Sequence, residues 1–172
     1  TTTLNGAYGS KVYVDEIGVF MNNEMDDFSS KPGVPNMFGL TGSEANSIAP
    51  KKRMLSSMSP TILLKNNSVK MVTGSPGGTT IISSVYQSIL NAVEFNMGAN
   101  DIVNSTRFHH QLWPKNVIRT HAGLSENTQA ELIKMGYTLD ERRFGDLQVI
   151  VNKDGELQAA SQATGRGESR VF

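Results

Sequence analysis

The sequence predicts an α+β fold, because strand patterns and one long helical pattern stand out along the chain. The β-prone runs 61–64 and 69–73 flank Lys65-Asn66-Asn67-Ser68, and paired asparagines tolerate the positive φ of a tight hairpin turn. In residues 79–95, apolar side chains recur at steps of three and four, which predicts an amphipathic helix. Together these patterns predict a hairpin that leads into a helix.

Weaker patterns predict the other elements. Ser125 is a good N-cap for a helix that ends near Met135, with Gly136 as its stop signal. Asn152-Lys153-Asp154-Gly155 is a good hairpin turn. The elements predicted outside the central region are strands over 1–5 and 11–14, a short helical turn over 100–104, a strand end over 117–120, a helix over 125–135, and strands over 148–151 and 156–160.

Composition indicates one soluble globular domain over residues 1–172. The chain has 16 basic and 16 acidic residues and is 38% hydrophobic, which is enough for a core. No run approaches the length of a membrane span, no signal-peptide pattern is present, and no basic block suggests nucleic acid. The absence of cysteine excludes disulfides, thiol nucleophiles and cysteine-bound metal, but it does not indicate a compartment.

Gly77 and Gly78 directly precede the long predicted helix. Free backbone amides and the helix dipole at a helix N-terminus stabilise an anion, so this pair can form an oxyanion hole. A simple break between strand and helix is the plain alternative. Phosphate binding is disfavoured, because Thr79-Thr80 supplies hydroxyls without the lysine of a phosphate loop.

Three carboxylates lie within four residues, at Glu24, Asp26 and Asp27. Their mutual repulsion is relieved either by solvent, in an acidic turn, or by a bound cation. The positive α-amine of an amino acid is such a cation, and charged acceptors bind it strongly.

The adjacent serines Ser56 and Ser57 are candidate nucleophiles or part of a serine-rich turn. The chain lacks a Gly-x-Ser-x-Gly motif around them and has only three histidines, which argues against a serine triad. His109 and His110 lack the spacing of a helical zinc pair, so structural hydrogen bonding is the expected role for both.

Residues 31–50 are rich in Gly, Pro, Asn and Ser and are too long for an ordinary connection. Loops of this length often act as lids over a binding site. We refer to residues 31–50 as the lid loop.

Five motifs, in the same order, resemble those of the small (C-terminal, β) subunit of the γ-glutamyltranspeptidases, a family of N-terminal-nucleophile hydrolases. The motifs occupy residues 22–28, 32–36, 55–61, 74–78 and 107–111. The resemblance implies a four-layer αββα sandwich that the large subunit completes. It also implies acyl transfer from glutathione and other γ-glutamyl compounds by a threonine nucleophile, with no metal and no cofactor.

The resemblance implies how the amino-acid end of the substrate is bound. Asn5, Glu24 and Asp27 would hold the α-amine. Ser56 and Ser57 would donate hydrogen bonds to the α-carboxylate, alongside an arginine of the large subunit. Some family members carry glutamine at the Glu24 position, so its acceptor oxygen matters more than its charge.

The resemblance also implies roles at the reacting end of the substrate. Thr3 would hydrogen-bond to the nucleophile, and the amides of Gly77 and Gly78 would form the oxyanion hole. Phe38, on the lid loop, would cover the γ-glutamyl pocket. Many relatives have tyrosine there, so phenylalanine keeps the cover but loses the hydroxyl.

In this family the nucleophile is the first residue of the small subunit, freed by self-cleavage, on a strand before the Thr-Leu-Asn segment. This sequence starts at that segment, so we expect residues 1–172 to lack the first strand and to be inactive alone. Thr1 would lie one hairpin away from the nucleophile position. Turnover of a γ-glutamyl anilide by the isolated chain, abolished by Thr1→Ala, would contradict this expectation.

Two alternatives remain beside this interpretation. The chain can be a non-catalytic fragment or amino-acid-binding module, or it can belong with relatives that process poly-γ-glutamate. Those relatives tend to have a shortened lid, so the long lid loop argues against the second alternative. The resemblance further implies a periplasmic or extracellular location and a heterodimer with the large subunit of the same precursor.

Overall fold

A computed structural model describes residues 3–111, 113–163 and 167–171. The chain divides into two compact units, Thr1–Met58 and Ser59–Phe172, and the single domain predicted over 1–172 stays a prediction. The expectations about Thr1 lie outside the described residues. Among the described residues, no helix combines the length and the apolar character needed to cross a membrane.

The first unit is built mainly from turns. Two short antiparallel strands, β1 (Tyr13–Val14) and β2 (Val19–Phe20), are followed by 3-10 helices at Glu24–Asp27 and Glu44–Asn46. Phe28, directly after the first 3-10 helix, is buried. Many of the cross-links in this unit are hydrogen bonds from asparagine and serine side chains.

The strand predicted over residues 1–5 is wrong for the part that the structure describes. Asn5 has a left-handed backbone, with φ 68°, and its N–H donates to the Thr3 hydroxyl oxygen at 3.0 Å. This local turn replaces the hydrogen bonds of a strand ladder. The strand predicted over 11–14 shrinks to Tyr13–Val14, because Lys11 also has a positive φ of 62°.

The second unit contains two sheets and three helices. Its elements in chain order are β3 (Thr61–Lys65), β4 (Ser68–Gly74), α1 (Ile81–Val93), α2 (Ala99–Asn104), β5 (Arg107–His110), β6 (Val117–His121), α3 (Glu126–Lys134), β7 (Thr138–Glu141), β8 (Gln148–Lys153) and β9 (Glu156–Ser161). One sheet is antiparallel with the order β3-β4-β8-β9. The other has the order β5-β6-β7, and α3 connects the parallel strands β6 and β7.

Helices α1 and α2 contact the four-stranded sheet and bury its inward-facing side chains. The central sheet residues of this core are Met71, Val149 and Val151, each no more than 2% exposed. Burial of such aliphatic side chains is the main stabilising contribution in a domain of this size. The full core cluster is Met71, Ala92, Ala99, Ile102, Val103, Leu147, Val149 and Val151.

The opposite face of the same sheet carries a row of apolar side chains. In the strand register Ile62 pairs with Val72, Val72 with Ile150, and Ile150 with Ala159. Ile62 is 67% exposed and Ile150 is 42% exposed. This row, which we call the outer sheet row, is therefore apolar but only partly covered within the unit.

The α+β fold predicted from the sequence is confirmed. Asn66 and Asn67 have φ values of 51° and 61°, as the first hairpin requires, and Ser125 caps α3 by accepting the Thr128 N–H at 3.2 Å. The long helix starts at Ile81, two residues later than predicted, because Gly78–Thr80 form a 3-10 turn. Strands β5 and β7 were not predicted.

Candidate functional site

The three clustered carboxylates lie on the 3-10 helix Glu24–Asp27. The Asn22 side-chain oxygen accepts the Glu24 N–H at 3.1 Å and stabilises the start of this turn. A 3-10 helix has three residues per turn, so Glu24 and Asp27 project from the same side and Asp26 does not. Glu24 is only 8% exposed, and within the described residues its carboxylate accepts no hydrogen bond.

The structure brings Asn5 beside this acidic turn through Asn23. The Asn5 Nδ2 donates to the Asn23 carbonyl at 3.1 Å, and the Gly6 N–H donates to the Asn23 Oδ1 at 2.7 Å. The Asn23 N–H in turn donates to the Leu4 carbonyl at 3.1 Å. Because Asn5 uses its amide nitrogen here, its Oδ1 is left as an acceptor, which is the group an ammonium ion needs.

Asp27 is partly buried and lies next to Ser57. The Ser57 hydroxyl donates to the Asp27 Oδ2 at 3.2 Å. Burial raises the pKa of the Asp27 carboxyl above its ordinary value of 3.8, the Ser57 hydrogen bond opposes this rise, and the nearby Asp26 charge adds to it. A carboxylate in these surroundings gains from a bound cation. Ser56 is exposed, and its hydroxyl makes no hydrogen bond to another described residue.

Thr3 is half-buried at the start of the described chain. Its hydroxyl oxygen accepts the Asn5 N–H at 3.0 Å, so the hydroxyl proton remains available for another acceptor. This is compatible with the role that the resemblance implies for Thr3, a hydrogen bond to the nucleophile.

The lid loop folds on itself and contacts the acidic turn. The Asn36 Oδ1 accepts the N–H groups of Phe38 and Leu40, both at 3.0 Å, which fixes the tip of the loop. The Met37 N–H donates to the Asp26 Oδ2 at 3.3 Å. A cavity of about 390 Å³ lies between the acidic turn and the lid loop, lined by Asp26 and Asp27 among others. Phe38 is half-buried and is not among the residues that line it.

Gly77 and Gly78 lie in the second unit, between β4 and α1. Gly77 has φ 144°, and a Cβ there would lie 2.5 Å from the Thr80 Oγ1. Gly78 also has a positive φ, of 55°. Within the described residues neither N–H of the pair donates a hydrogen bond, while the Gly77 carbonyl accepts from the Thr80 N–H at 3.1 Å. Two free amides at the start of a helix can stabilise an oxyanion.

Structural hydrogen bonding was predicted for His109 and His110, and the structure shows it for the side chain of His109. Its Nδ1 lies 2.9 Å from the Ser83 hydroxyl and its Nε2 lies 2.9 Å from the Gln111 Oε1. His110 contacts the ring of Tyr137 edge-on. In the described part of the chain, no group of three histidine or acidic residues has the arrangement of a metal site.

Sequence reasoning missed Asn23, which connects the two segments of the candidate amine-binding site, Asn5 on one side and Glu24 and Asp27 on the other. Its neighbours in the sequence are another asparagine and Glu24, and only the turn-forming tendency of asparagine indicates a structural role. The hydrogen bonds that give Asn23 this role reach Asn5 and Gly6, which lie 18 and 17 residues away in the chain.

Comparison with known proteins shows which family the chain belongs to. The family described as Gamma-glutamyltranspeptidase matches residues 1–172. The chain belongs to the γ-glutamyltranspeptidase family. A relative from Pseudomonas aeruginosa, named glutathione hydrolase proenzyme, is 46% identical over 99% of this chain and 31% of its own length. A relative of the same name from Escherichia coli K12 is 44% identical over 94% of this chain and 28% of its own length.

Solved γ-glutamyltranspeptidase structures share the fold. The Pseudomonas nitroreducens enzyme complexed with L-DON is 45% identical and superposes with a TM-score of 0.89, covering 100% of this chain and 91% of that chain. The Helicobacter pylori T380A mutant is 44% identical, with a TM-score of 0.83, covering 94% of this chain and 88% of that chain. The chain thus spans about a third of the length of its curated relatives but nearly all of one chain in the solved enzymes.

Proposed function

We propose that the protein containing this chain transfers and hydrolyses the γ-glutamyl group of glutathione and related compounds. The observation that carries the proposal is the acidic turn, where Glu24 is nearly buried, Asp27 accepts a hydrogen bond from Ser57, and Asn5 is bonded to the neighbouring Asn23. We call Asn5, Glu24 and Asp27 the amine-binding site. The names of the two bacterial relatives support it. Release of p-nitroaniline from γ-glutamyl-p-nitroanilide by the full-length protein tests it, and absence of release would contradict it.

The amine-binding site suits an α-amino acid because its acceptors outnumber its donors. Glu24 is nearly buried without an internal hydrogen-bond partner among the described residues, and burial raises the pKa of Asp27. A bound ammonium supplies positive charge to both carboxylates. Each charge-assisted hydrogen bond contributes about 1.5–3 kcal/mol, which is enough to orient the substrate for reaction.

The reaction follows from the family's nucleophile and from the groups on this chain. A threonine hydroxyl attacks the γ-glutamyl amide carbonyl while the threonine's own α-amine takes the hydroxyl proton. The Gly77 and Gly78 amides stabilise the negative oxygen of the tetrahedral intermediate. The C–N bond then breaks, the departing amine takes the proton, and water or an amino acid displaces the threonine from the acyl ester. The Thr3 hydroxyl orients the nucleophile.

The partner is the rest of the same precursor, whose large subunit covers the outer sheet row. Support comes from the exposed apolar face around Ile62 and from the length of the relatives, about two thirds of which this chain does not span. In this arrangement the two subunits complete a four-layer αββα sandwich. The proposed location is periplasmic or extracellular, and cell fractionation that finds the protein in the cytoplasm would contradict it.

Ile62→Glu is expected to weaken association of the two subunits, because a carboxylate would be buried against an apolar surface. Co-purification of the subunits from cells that express the full-length protein measures the effect. Ile17→Glu is a matched control, since Ile17 is 68% exposed and lies in the first unit. Equal recovery of the large subunit with both variants would show that the outer sheet row is not the contact.

Phe38→Ala is expected to raise KM about tenfold, because removing an aromatic cover exposes the bound substrate to water. The melting temperature is expected to change by no more than about 2 °C, since truncation in a surface loop has small effects on stability. Steady-state kinetics and thermal unfolding of the same preparation separate the two effects. A large fall in melting temperature with unchanged KM would make Phe38 a packing residue instead.

Replacing Ser56 and Ser57 together by alanine is expected to weaken inhibition by the product glutamate, because its α-carboxylate loses two hydrogen-bond donors. For Ser57 this requires that its hydroxyl turns from Asp27 to the α-carboxylate when glutamate binds. Two neutral donors to a charged group correspond to a roughly 100-fold increase in the inhibition constant. Ser10→Ala is a control, since Ser10 is an exposed turn residue. An unchanged inhibition constant would show that both serines have a structural role and do not bind the α-carboxylate.

A further inference from the structure

Arg107, the first residue of β5, is the largest fully buried side chain among the described residues, with 0% exposure. Burial lowers the pKa of its guanidinium to about 10. The group therefore stays protonated near neutral pH. A buried positive charge is costly unless an anion compensates it.

Among the described residues, the groups that contact Arg107 are neutral. Its Nη1 donates to the Val103 carbonyl at 3.1 Å, its Nη2 donates to the Gln162 Oε1 at 2.8 Å, and the Phe144 ring lies 5.9 Å away. Its Nε is buried and has no hydrogen-bond partner. None of the ion pairs among the described residues involves Arg107. Within that part of the chain, its charge is solvated only by dipoles.

A cavity of about 550 Å³ lies directly beside these partners. Its wall includes Val103 and Gln162, which accept the two hydrogen bonds from Arg107, and His121, which is paired with Arg107 in the strand register. Ala122 on the same wall has a φ of 66°, a strained backbone for a residue with a side chain. Strain of this kind is common at binding sites.

The charged residues that line the cavity are two arginines and one glutamate, so positive groups are in excess even before the buried Arg107 is counted. Arg142 is engaged with Asp140 at 3.0 Å, whereas Arg143 makes no ion pair among the described residues. Glu141 is the acidic residue on the wall. Burial lowers the pKa of His121, and the charges of Arg107 and Arg143 lower it further, so His121 adds no positive charge at neutral pH.

The Gln162 Nε2 lies 3.0 Å from the His121 Nε2, which leaves one of its two N–H groups for a ligand. We propose that this cavity binds a small oxyanion, a carboxylate or a phosphate, held by Arg143 and by that second N–H of the Gln162 side-chain amide. The anion compensates the buried charge of Arg107 across Val103, His121 and Gln162, which line the cavity and lie next to Arg107. In the low-dielectric surroundings of a buried group, a charge at this range acts more strongly than it would in water. The residues of this site all belong to the second unit, and the proposal does not depend on the proposed reaction.

Thermal unfolding of the full-length protein tests the site directly. Potassium phosphate is titrated against potassium chloride at matched ionic strength, and sodium acetate replaces phosphate in a second series. We expect a saturable rise in melting temperature of about 2–4 °C with the oxyanion over chloride. A rise in melting temperature with both acetate and phosphate would show that the site binds oxyanions in general. A rise with only one of them would show that it binds carboxylates or phosphates specifically.

Three variants complete the test. Arg143→Gln should lose the saturable rise, whereas Lys115→Gln, an exposed residue that also loses one positive charge, should keep it. Gln162→Glu should raise the melting temperature without added oxyanion and cancel the response to it, because the new carboxylate pairs with Arg107. The proposal is overturned if wild type shows no rise over chloride, or if Arg143→Gln, which alters only an exposed side chain, keeps the rise. A lower melting temperature for Gln162→Glu in every buffer would also overturn it, because Arg107 would then already have an acidic partner.

Discussion

Asp27→Ala in the full-length protein is expected to raise the KM for γ-glutamyl substrates about 100-fold or more, with a smaller change in kcat. Removing one partner of a buried ion pair costs about 3–5 kcal/mol, and each 1.4 kcal/mol is about tenfold in affinity. Because Asp27 remains partly exposed in the free chain, the lower end of this range applies. The change falls on KM because the α-amine is bound equally in the ground state and the transition state.

Steady-state kinetics with γ-glutamyl-p-nitroanilide measure the effect, and Asp26→Ala is the matched control. Asp26 lies on the same 3-10 helix, but its carboxylate accepts the Met37 N–H and projects from another side of the turn. We expect the KM of Asp26→Ala to differ from that of wild type by less than tenfold. Wild-type kinetics for Asp27→Ala would remove Asp27 from the amine-binding site.

Gly77→Ala is expected to reduce kcat by about 100-fold or more, because the oxyanion donors must lie within about 3 Å of the developing charge. A Cβ at Gly77 would lie 2.5 Å from the Thr80 Oγ1, and the φ of 144° is unfavourable for alanine. The backbone must therefore shift, and the amides of Gly77 and Gly78 shift with it. Some loss of stability, roughly 1–3 kcal/mol, accompanies this strain.

Gly136→Ala separates loss of stability from loss of catalysis. Gly136 has a φ of 92° beyond the end of α3, and nothing lies within 4 Å of the position its Cβ would take. Alanine there introduces backbone strain without a clash and without moving the Gly77 and Gly78 amides. We expect kcat to be unchanged for this variant when it is measured below its melting temperature. An unchanged kcat for folded Gly77→Ala would refute the oxyanion role.

Local sequence patterns were sufficient to predict the elements whose conformation depends on neighbouring residues. The hairpin at Asn66 and Asn67 and the cap at Ser125 depend on turn and capping preferences, and both have the predicted backbone or hydrogen bond. Strand β5 was missed because its alternation is reversed. Arg107 and His109 are buried, while Phe108 is 54% exposed, so a search for apolar residues at every second position fails there.

In the candidate site, too, features that depend on neighbouring residues could be predicted from the sequence, and contacts between distant residues could not. The density of carboxylates at 24–27 predicted either a solvated acidic turn or an ammonium site, and the resemblance assigned Asn5, Glu24 and Asp27 to the amine. The cross-links that bring them together could not be predicted, because hydrogen bonds such as Asn5 to Asn23 and Ser57 to Asp27 join residues 18 and 30 positions apart. The spacing of apolar and polar residues along the sequence carries no information about such pairs. The strand predicted for residues 1–5 was wrong over 3–5 for a related reason, since Asn5 has a left-handed backbone and its N–H donates to the Thr3 side chain.

The most direct test of the amine-binding site is a double cycle between Asp27 and the substrate's α-amine. The kcat/KM of the full-length protein is measured for γ-glutamyl-p-nitroanilide and for glutaryl-p-nitroanilide, which lacks only the α-amine, in wild type and in Asp27→Ala. If Asp27 binds the amine, wild type prefers the amine-bearing substrate by about 100-fold or more, and Asp27→Ala loses most of that preference. The same preference in both proteins would show that the amine is bound elsewhere and would contradict the proposed site.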